Sequence, residues 1–396
     1  MVLTKKYKKK LSKSIKYKGG NNFYFHKELK INNNIFNLYN LIKPYIFQST
    51  IKSFIINDNI KFNQQEYKQL CDNLYNSDNG KLYRLLSNNI VNNSIKTRNK
   101  LILYMNFKSH NILIEEKREK LYNIISINKP DIICLSEALL PINIENNKKI
   151  INDDDIKITE IDNIKDDTIK QPYNATVQFK EKKIKENGKI LELKNNWKTF
   201  FIKEGYKYII FANPTECPWG ENWGNCIITK TKPEKAYVLQ MKSYGKISFN
   251  VPESRSMVGI KIDNEYIFST HLDNVPNSES RKKQTLEIID FLNKLKLKKE
   301  AITLVGDLNA INKYSYNKEE LSILKLLNAN QDNLPFDAVE LFNNSKLFGN
   351  HPINTGQKYE SMFQKCVSHA YSNKYLNSIM LFTDSTDFDH QPMLIF

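Results

Sequence analysis

Residues 301–309 read AITLVGDLN, and this stretch decides the fold. A short, mostly apolar run with three β-branched residues and a glycine after it is typical of a strand buried on both faces. Asp307 and Asn309 stand where the apolar run stops, and alternation along a strand would place both side chains on one side. The pattern predicts a buried strand that carries polar side chains at its end.

The same arrangement recurs on both sides of this stretch. Asn106 ends the run LILYM, Glu137 ends IICLS and His271 ends IFST, while Asp389 and His390 directly precede the strand QPMLIF. Each residue alone has an ordinary interpretation as a turn former or a helix-capping acid. Together, hard oxygen ligands and two histidines at strand ends are what a Mg²⁺-assisted phosphate hydrolysis requires.

The rest of the sequence predicts how the chain is divided. Residues 1–20 form a basic tail that we expect to be disordered, and residues 21–98 show helical spacing typical of a small helical extension. From residue 99 to 396 strands alternate with helices such as EEKREKLYNIISI and SRKKQTLEIIDFLNKLK, which predicts one α/β catalytic domain. Residues 146–195 are rich in charge runs and are interpreted as a surface insertion.

Composition narrows the class of protein. A net charge of +16 favours a polyanionic partner such as nucleic acid, although the Lys, Asn and Ile bias is also expected of an AT-rich genome. No apolar run is long enough for a membrane span or a secretory signal. The five cysteines have no C-x-x-C spacing, which argues against a zinc knuckle and a disulfide framework and favours a reducing, intracellular compartment, cytoplasmic or nuclear.

Five blocks of sequence point to a known family. LYMNF, PDIICLSE, STHLD, GDLN and DFDHQP occur in the order and near the spacing of the signature blocks of the endonuclease/exonuclease/phosphatase superfamily. Residues 101–396 resemble that superfamily, which includes DNases, apurinic endonucleases, tyrosyl-DNA phosphodiesterases, sphingomyelinases and inositol-polyphosphate phosphatases. The resemblance implies a four-layer αββα sandwich of two mixed sheets with helices outside, a site at one rim, and dependence on Mg²⁺ or Mn²⁺.

The resemblance also implies a metal site and identifies its ligands. Glu137 matches the principal metal carboxylate, Asn106 matches the residue beside it, and Asp389 matches a second acidic ligand.

Four further residues match the catalytic positions of the superfamily. Asp307 resembles the group that orients or deprotonates the attacking water, and Asn309 resembles a donor to the phosphate. His390 resembles the histidine that contacts the scissile phosphoryl group, and His271 resembles a phosphate donor or an acid to the leaving group. One position departs from the family pattern, because KCVSHAYSN places Ser368 or His369 where an Asp usually pairs with the final histidine.

Candidate substrate contacts lie near these blocks. Arg255 and Arg281 flank His271 in sequence and could either grip a substrate phosphate or form exposed ion pairs. Trp223, in a glycine-containing segment, could stack on a base or pack against the sheet edge, and Asn225 could add a substrate hydrogen bond.

We therefore expect a Mg²⁺-dependent hydrolase: a phosphodiesterase that binds and cleaves nucleic acid, as a nuclease or endonuclease or as an enzyme that trims DNA ends. The alternatives are an inositol-polyphosphate phosphatase or sphingomyelinase-type phosphoesterase, and a catalytically impaired binding protein, which the serine at position 368 would suit.

Overall fold

A computed structural model gives the structure of the chain from residue 100 onward, with gaps. The basic tail and the helical extension predicted for residues 1–98 therefore lie outside the described residues, and the domain limits stay a prediction. The described residues are 100–107, 115–139, 149–153, 156–162, 173–174, 200–212, 214, 223–242, 254–274, 278–295, 300–311, 337–348, 353–354, 368–373, 378–380, 390 and 392–395.

The described residues form two mixed sheets. The first has seven strands in the order β14-β15-β1-β2-β7-β6-β5, and the second has eight in the order β12-β13-β11-β10-β9-β8-β4-β3. The strands are β1 (Ile102–Asn106), β2 (Ile132–Leu139), β3 (Lys149–Asp153), β4 (Ile156–Asp162), β5 (Tyr173–Asn174), β6 (Tyr208–Ala212), β7 (Trp223–Thr229), β8 (Lys235–Met241), β9 (Arg255–Ile262), β10 (Glu265–His271), β11 (Ala301–Asp307), β12 (Ile353–Asn354), β13 (Ser368–Ser372), β14 (Ser378–Met380) and β15 (Met393–Ile395).

The two sheets pack face to face through one apolar layer. Alternate residues of each strand point into this layer, for example Ile102 and Tyr104 of β1 and Val258 and Ile260 of β9, and all of them are buried. Because the same cluster contains residues of both sheets, the sheets form the central layers of a sandwich.

Helices cover the outer faces of the two sheets. Helices α2 (Ser278–Lys294) and α3 (Asp337–Asn344) pack on the second sheet, where Phe291 meets Phe268 edge to face with ring centroids 6.0 Å apart. Helix α1 (Glu115–Asn128) connects β1 to β2, which are parallel neighbours, so it crosses over a face of the first sheet. The second sheet covers the inner face of the first sheet, so α1 lies on the outer face of the first sheet. The structure confirms the αββα sandwich.

Part of the predicted surface insertion belongs to the sheets. Strands β3 and β4 pair with each other, and β4 pairs with β8, so this hairpin extends the edge of the second sheet. The short strand β5 pairs with β6 at the edge of the first sheet. The described residues of this segment, 149–153, 156–162 and 173–174, thus lie at sheet edges.

None of the described helices is long and apolar enough to cross a membrane.

Candidate active site

Parallel pairing brings four polar strand ends to the same rim of the sandwich. Strands β1 and β2 run parallel with Asn106 opposite Ser136, which places Glu137 next to Asn106. Strands β10 and β11 also run parallel, and His271 is directly opposite Asp307. The ends of parallel strands lie at one edge of a sheet, and the two edges face each other across the sandwich.

Asn106 joins the two sheets at this rim. Its Nδ2 donates to Oε1 of Glu137 at 3.1 Å and to Oδ2 of Asp307 at 2.9 Å. Nε2 of His271 lies 3.8 Å from each of the same two carboxylate oxygens. Two carboxylates, an amide and an imidazole from four strands therefore surround one small space.

A β-bulge directs the Glu137 side chain into this space. The register between β2 and β7 shifts between Leu135 and Ala138, so Ser136 and Glu137 together face one residue of β7. Glu137 has a φ of 51°, in the left-handed region that a residue with a Cβ seldom adopts. A strained backbone persists only where the surrounding structure stabilises it, and such positions are often found at functional sites.

Asn309 also has a left-handed backbone and turns back toward the site. Its φ is 47°, and its backbone N–H donates to Oδ1 of Asp307 at 2.8 Å. Its Nδ2 donates to the carbonyl of Leu272 at 2.9 Å and lies 3.1 Å from Nε2 of His271. The turn after β11 therefore holds both the Asp307 carboxylate and the side-chain amide of Asn309 in place.

Burial shifts the pKa values of two site residues. Burial raises the pKa of Glu137 above its ordinary value, and the charge of Asp307 raises it further, while the Asn106 hydrogen bond, His390 and Arg255 oppose the shift. Burial lowers the pKa of His271 well below the ordinary value, and Arg255 and His390 add to the shift. His271 is therefore neutral in the site as it stands.

His390 approaches the site from the other side of Asp307. Its Nε2 lies 3.6 Å from Oδ2 of Asp307, and its Nδ1 lies 3.2 Å from Oγ of Ser368. Ser368 pairs with Asp307 across β11 and β13. Asp389, the predicted second metal ligand, lies outside the described residues.

Arg255 and Trp223 are buried behind His271. Arg255 is 2% exposed; one of its terminal nitrogens is 3.5 Å from Nδ1 of His271 and the other is 3.9 Å from Oδ1 of Asp273. Trp223 is also buried, with its ring centroid 6.0 Å from that of His271 and 5.7 Å from the guanidinium carbon of Arg255. Of the two interpretations of Trp223, these contacts favour packing.

Arg281 is buried among α2, α3 and the segment that follows β10. It is 2% exposed, its Nε donates to Oδ1 of Asp337 at 3.3 Å, and a terminal nitrogen donates to the carbonyl of Asp273 at 3.1 Å. These bonds connect α2 and α3 to the end of β10. Arg281 is not an exposed ion pair, and its role as a phosphate contact stays a prediction that its burial does not favour.

Asn225 lies opposite the bulge and bonds across the sandwich. Its Nδ2 donates to the carbonyl of Ser256 at 2.8 Å, and its buried Oδ1 has no hydrogen-bond partner among the described residues. That oxygen is an acceptor that a substrate donor or a water could satisfy.

Two further buried residues lie within sequence stretches already quoted, STHLD and KCVSHAYSN. Asp273 anchors Arg255 and accepts from Oγ of Ser280 at 2.6 Å, and His369 contacts the Ala310 carbonyl through Nε2 at 2.7 Å. Asp273 follows His271 by two residues, a spacing that could have drawn attention to it, whereas nothing local identifies the partner of His369.

The comparisons with known proteins find similarity in structure alone. No protein-family model matches the sequence, and a search of curated proteins finds no match. Similar solved structures are the catalytic domain of human Nocturnin (13% identity, TM-score 0.45), an endonuclease/exonuclease/phosphatase family protein from Leptotrichia buccalis (16%, 0.44) and an AP endonuclease from Archaeoglobus fulgidus (12%, 0.43). Each covers 75% of this chain, and 92%, 99% and 99% of the other chain respectively. At such identities a shared fold does not carry an activity from one protein to another.

Proposed function

We propose that this chain is a Mg²⁺-dependent phosphoesterase that hydrolyses phosphodiesters in nucleic acid. The observation that carries the proposal is the convergence of six polar side chains from separate strands and turns on one rim. They are Asn106, Glu137, His271, Asp307, Asn309 and His390, which are connected by contacts of 2.9 to 3.8 Å. Their chemistry, rather than the fold, is the support for the function.

The donor set fits a hard divalent cation. Within the described residues, no three His, Cys, Asp or Glu side chains are grouped so that they could hold a metal ion. Mg²⁺ keeps several waters and commonly binds through one or two carboxylates, so Glu137 and Asp307 would suffice, with Asn106 beside them. The mutual repulsion of the two carboxylates, which contributes to the raised pKa of Glu137, is what a cation would relieve. Asp389 would be a further ligand.

When bound, the ion would polarise a phosphate oxygen and lower the pKa of a water molecule. Asp307 would orient the attacking water and accept its proton, since its carboxylate is held by donors from Asn106 and Asn309 on opposite oxygens. Fixed geometry of this kind lets a base act without reorganising during the reaction.

The other side chains would stabilise charge at the phosphoryl group. Asn309 has an amide donor at the rim, and His390 presents Nε2 on the Asp307 side while Ser368 holds its Nδ1. His271 is neutral, so in the site as described it would hydrogen-bond a phosphate oxygen rather than act as a charged donor.

The proposal that the substrate is nucleic acid has less support than the proposal that the reaction is phosphoester hydrolysis. The net charge of +16 favours a polyanion. Arg255, Arg281 and Trp223 give no added support, because all three are buried against protein groups. The inositol-polyphosphate and sphingomyelinase alternatives would use the same rim, and an impaired binding protein is disfavoured because the catalytic side chains converge.

An activity screen tests the proposal. Single-stranded, duplex and abasic DNA, 5′-tyrosyl DNA, RNA, sphingomyelin and inositol phosphates would be incubated with the full chain in Mg²⁺, in Mn²⁺ and in excess chelator. We expect cleavage of at least one nucleic acid in the presence of metal and none in chelator. Undiminished hydrolysis in chelator would refute the metal mechanism, and hydrolysis of inositol phosphates or sphingomyelin alone would replace the nucleic-acid substrate.

A further inference from the structure

A chain of hydrogen bonds crosses from one sheet to the other directly below the candidate site. The hydroxyl of Tyr104 in β1 donates to Oγ of Ser136 in β2 at 3.1 Å. Oγ of Ser136 in turn donates to the backbone carbonyl of Thr270 in β10 at 3.1 Å. All three residues are fully buried, so water does not compete for these bonds.

This series of hydrogen bonds lies directly next to two residues of the site. Ser136 directly precedes Glu137 in the first sheet, and Thr270 directly precedes His271 in the second. The bond from Ser136 to Thr270 therefore connects β2, which carries Glu137, to β10, which carries His271.

Besides the bond from Asn106 to Asp307 within the site, the described contact between the sheets is largely apolar. Apolar packing is non-directional, and it leaves the offset between two layers less strictly defined than a hydrogen bond does. A second polar crossing lies nearby, where Asn225 Nδ2 donates to the carbonyl of Ser256, and Ser256 Oγ donates to the carbonyl of Ala212 at 2.9 Å. Ser136 lies nearest to the catalytic side chains, since it adjoins Glu137.

We propose that Ser136 is a positioning residue, which sets the separation between Glu137 of the first sheet and the His271 and Asp307 pair of the second. The proposal rests on the function proposed above for the same rim. Ser136 does not touch the reacting atoms; it acts through the carbonyl of Thr270 and through its own backbone. A misplacement of about 1 Å in such an arrangement can cost about 100-fold in rate.

The test compares two variants with a matched control. Ser136→Ala removes the crossing, and Tyr104→Phe, a milder change, removes only the bond that Ser136 accepts. Ser372→Ala is the control, because Ser372 is an equally buried strand serine whose Oγ lies 3.4 Å from Oγ of Thr303 within the second sheet. Thermal melts of all three measure the stability lost with a buried hydroxyl.

Two readouts separate positioning from stability. In steady-state kinetics we expect Ser136→Ala to lower kcat by about 10- to 100-fold with little change in KM, Tyr104→Phe to lower it less, and Ser372→Ala to keep the parent kcat. The second readout needs no activity: the side-chain amide signals of Asn106 in NMR spectra of the metal-free protein report its bonds to Glu137 and Asp307. We expect those signals to shift in Ser136→Ala and to stay unchanged in Ser372→Ala.

The outcomes are distinct. If Ser136→Ala melts within the range of the control and keeps both the parent kcat and the parent Asn106 signals, Ser136 has no positioning role. If the parent protein shows no hydrolase activity, the proposed function fails, and the Asn106 signals still decide whether Ser136 holds the two halves together. If Ser136→Ala does not fold, Ser136→Cys, whose thiol is only a weak donor to the Thr270 carbonyl, takes its place. Unchanged Asn106 signals and kcat in that variant would overturn the proposal, and altered ones would support it.

Discussion

The hydroxyl of Ser368 lies 3.2 Å from Nδ1 of His390, on the opposite side of the ring from the nitrogen that faces Asp307. A buried hydroxyl thus contacts the histidine at the ring nitrogen that does not face Asp307. Unlike a carboxylate, a serine hydroxyl can donate or accept, so it can orient the ring in either neutral tautomer.

Ser368→Ala should release the His390 ring and lower turnover by about tenfold, less than the roughly 100-fold or more that is usual when a catalytic acid or base is itself removed. Ser372→Ala, on the same strand and equally buried, is the control for lost stability. Kinetics and melts of both variants check this, and equal turnover in the two would show that the Ser368 contact does not orient a catalytic group.

Glu137→Gln should weaken Mg²⁺ or Mn²⁺ binding by at least about tenfold, because it removes the charge of the principal candidate ligand. Calorimetric titration measures the affinity directly. Glu265→Gln is a matched control: Glu265 begins β10, away from the rim, binds Lys100, and its side chain is 19% exposed against 22% for Glu137. Equal metal affinity in the two variants would remove Glu137 from the proposed site.

Asp307→Asn and His390→Ala should each reduce turnover by about 100-fold or more, as expected when a base or a charge-stabilising group is lost. Asn at position 307 has the size of Asp and keeps one acceptor oxygen, for the bond from the backbone N–H of Asn309, so the fold should survive the loss of the bond from Asn106. Circular dichroism melts would accompany the kinetics. Parent-like turnover in well-folded variants would mean that the catalytic groups are others.

Gly306→Ala should lower both stability and turnover, because an added Cβ would overlap the carbonyl oxygen of Thr270 beside His271. Gly259→Ala should lower stability alone, since its Cβ would overlap the buried ring of Phe268 in the outer layer. Overpacking of this kind costs about 1 to 3 kcal/mol. Denaturant titration and kinetics on both variants would test the contrast, which fails if the residual activities are equal.

Binding to nucleic acid predicts a dependence on length. Affinity of the inactive Asp307→Asn protein in Mg²⁺ should rise as oligonucleotides grow from a few to about ten nucleotides, and each neutralised phosphate should add about 0.7 to 0.9 to the log-log salt slope. A pocket for one head group would gain nothing from length. A flat response combined with tight binding of inositol phosphates would favour the phosphatase alternative.

The sandwich and the positions of the polar strand ends could be predicted from the sequence. Asp307 and Asn309 follow an uninterrupted apolar run, and such runs allow little choice other than a buried strand. Helices α1 and α2 were predictable for the same reason, because their apolar residues recur at helical spacing. Strands β3 and β4 were not, since their residues are embedded in charge runs and form a hairpin at a sheet edge.

The surroundings of the site residues could not be predicted. Arg281 finds its partner, Asp337, after 56 residues of chain, and no local pattern specifies such a contact. The bulge that directs Glu137 into the site depends on the register with β7, which is a property of the assembled sheet. Sequence therefore identified the catalytic candidates but not the residues that hold them.

Strand β15 lies between β14 and β1, with Ile395 opposite Ile102. This pairing brings together residues separated by most of the sandwich, and contacts between such distant residues slow folding because a long loop must close first. During synthesis, β1 leaves the ribosome long before β15 has been made. His390 lies three residues before β15, so a growing chain cannot complete the candidate site until synthesis has reached this strand.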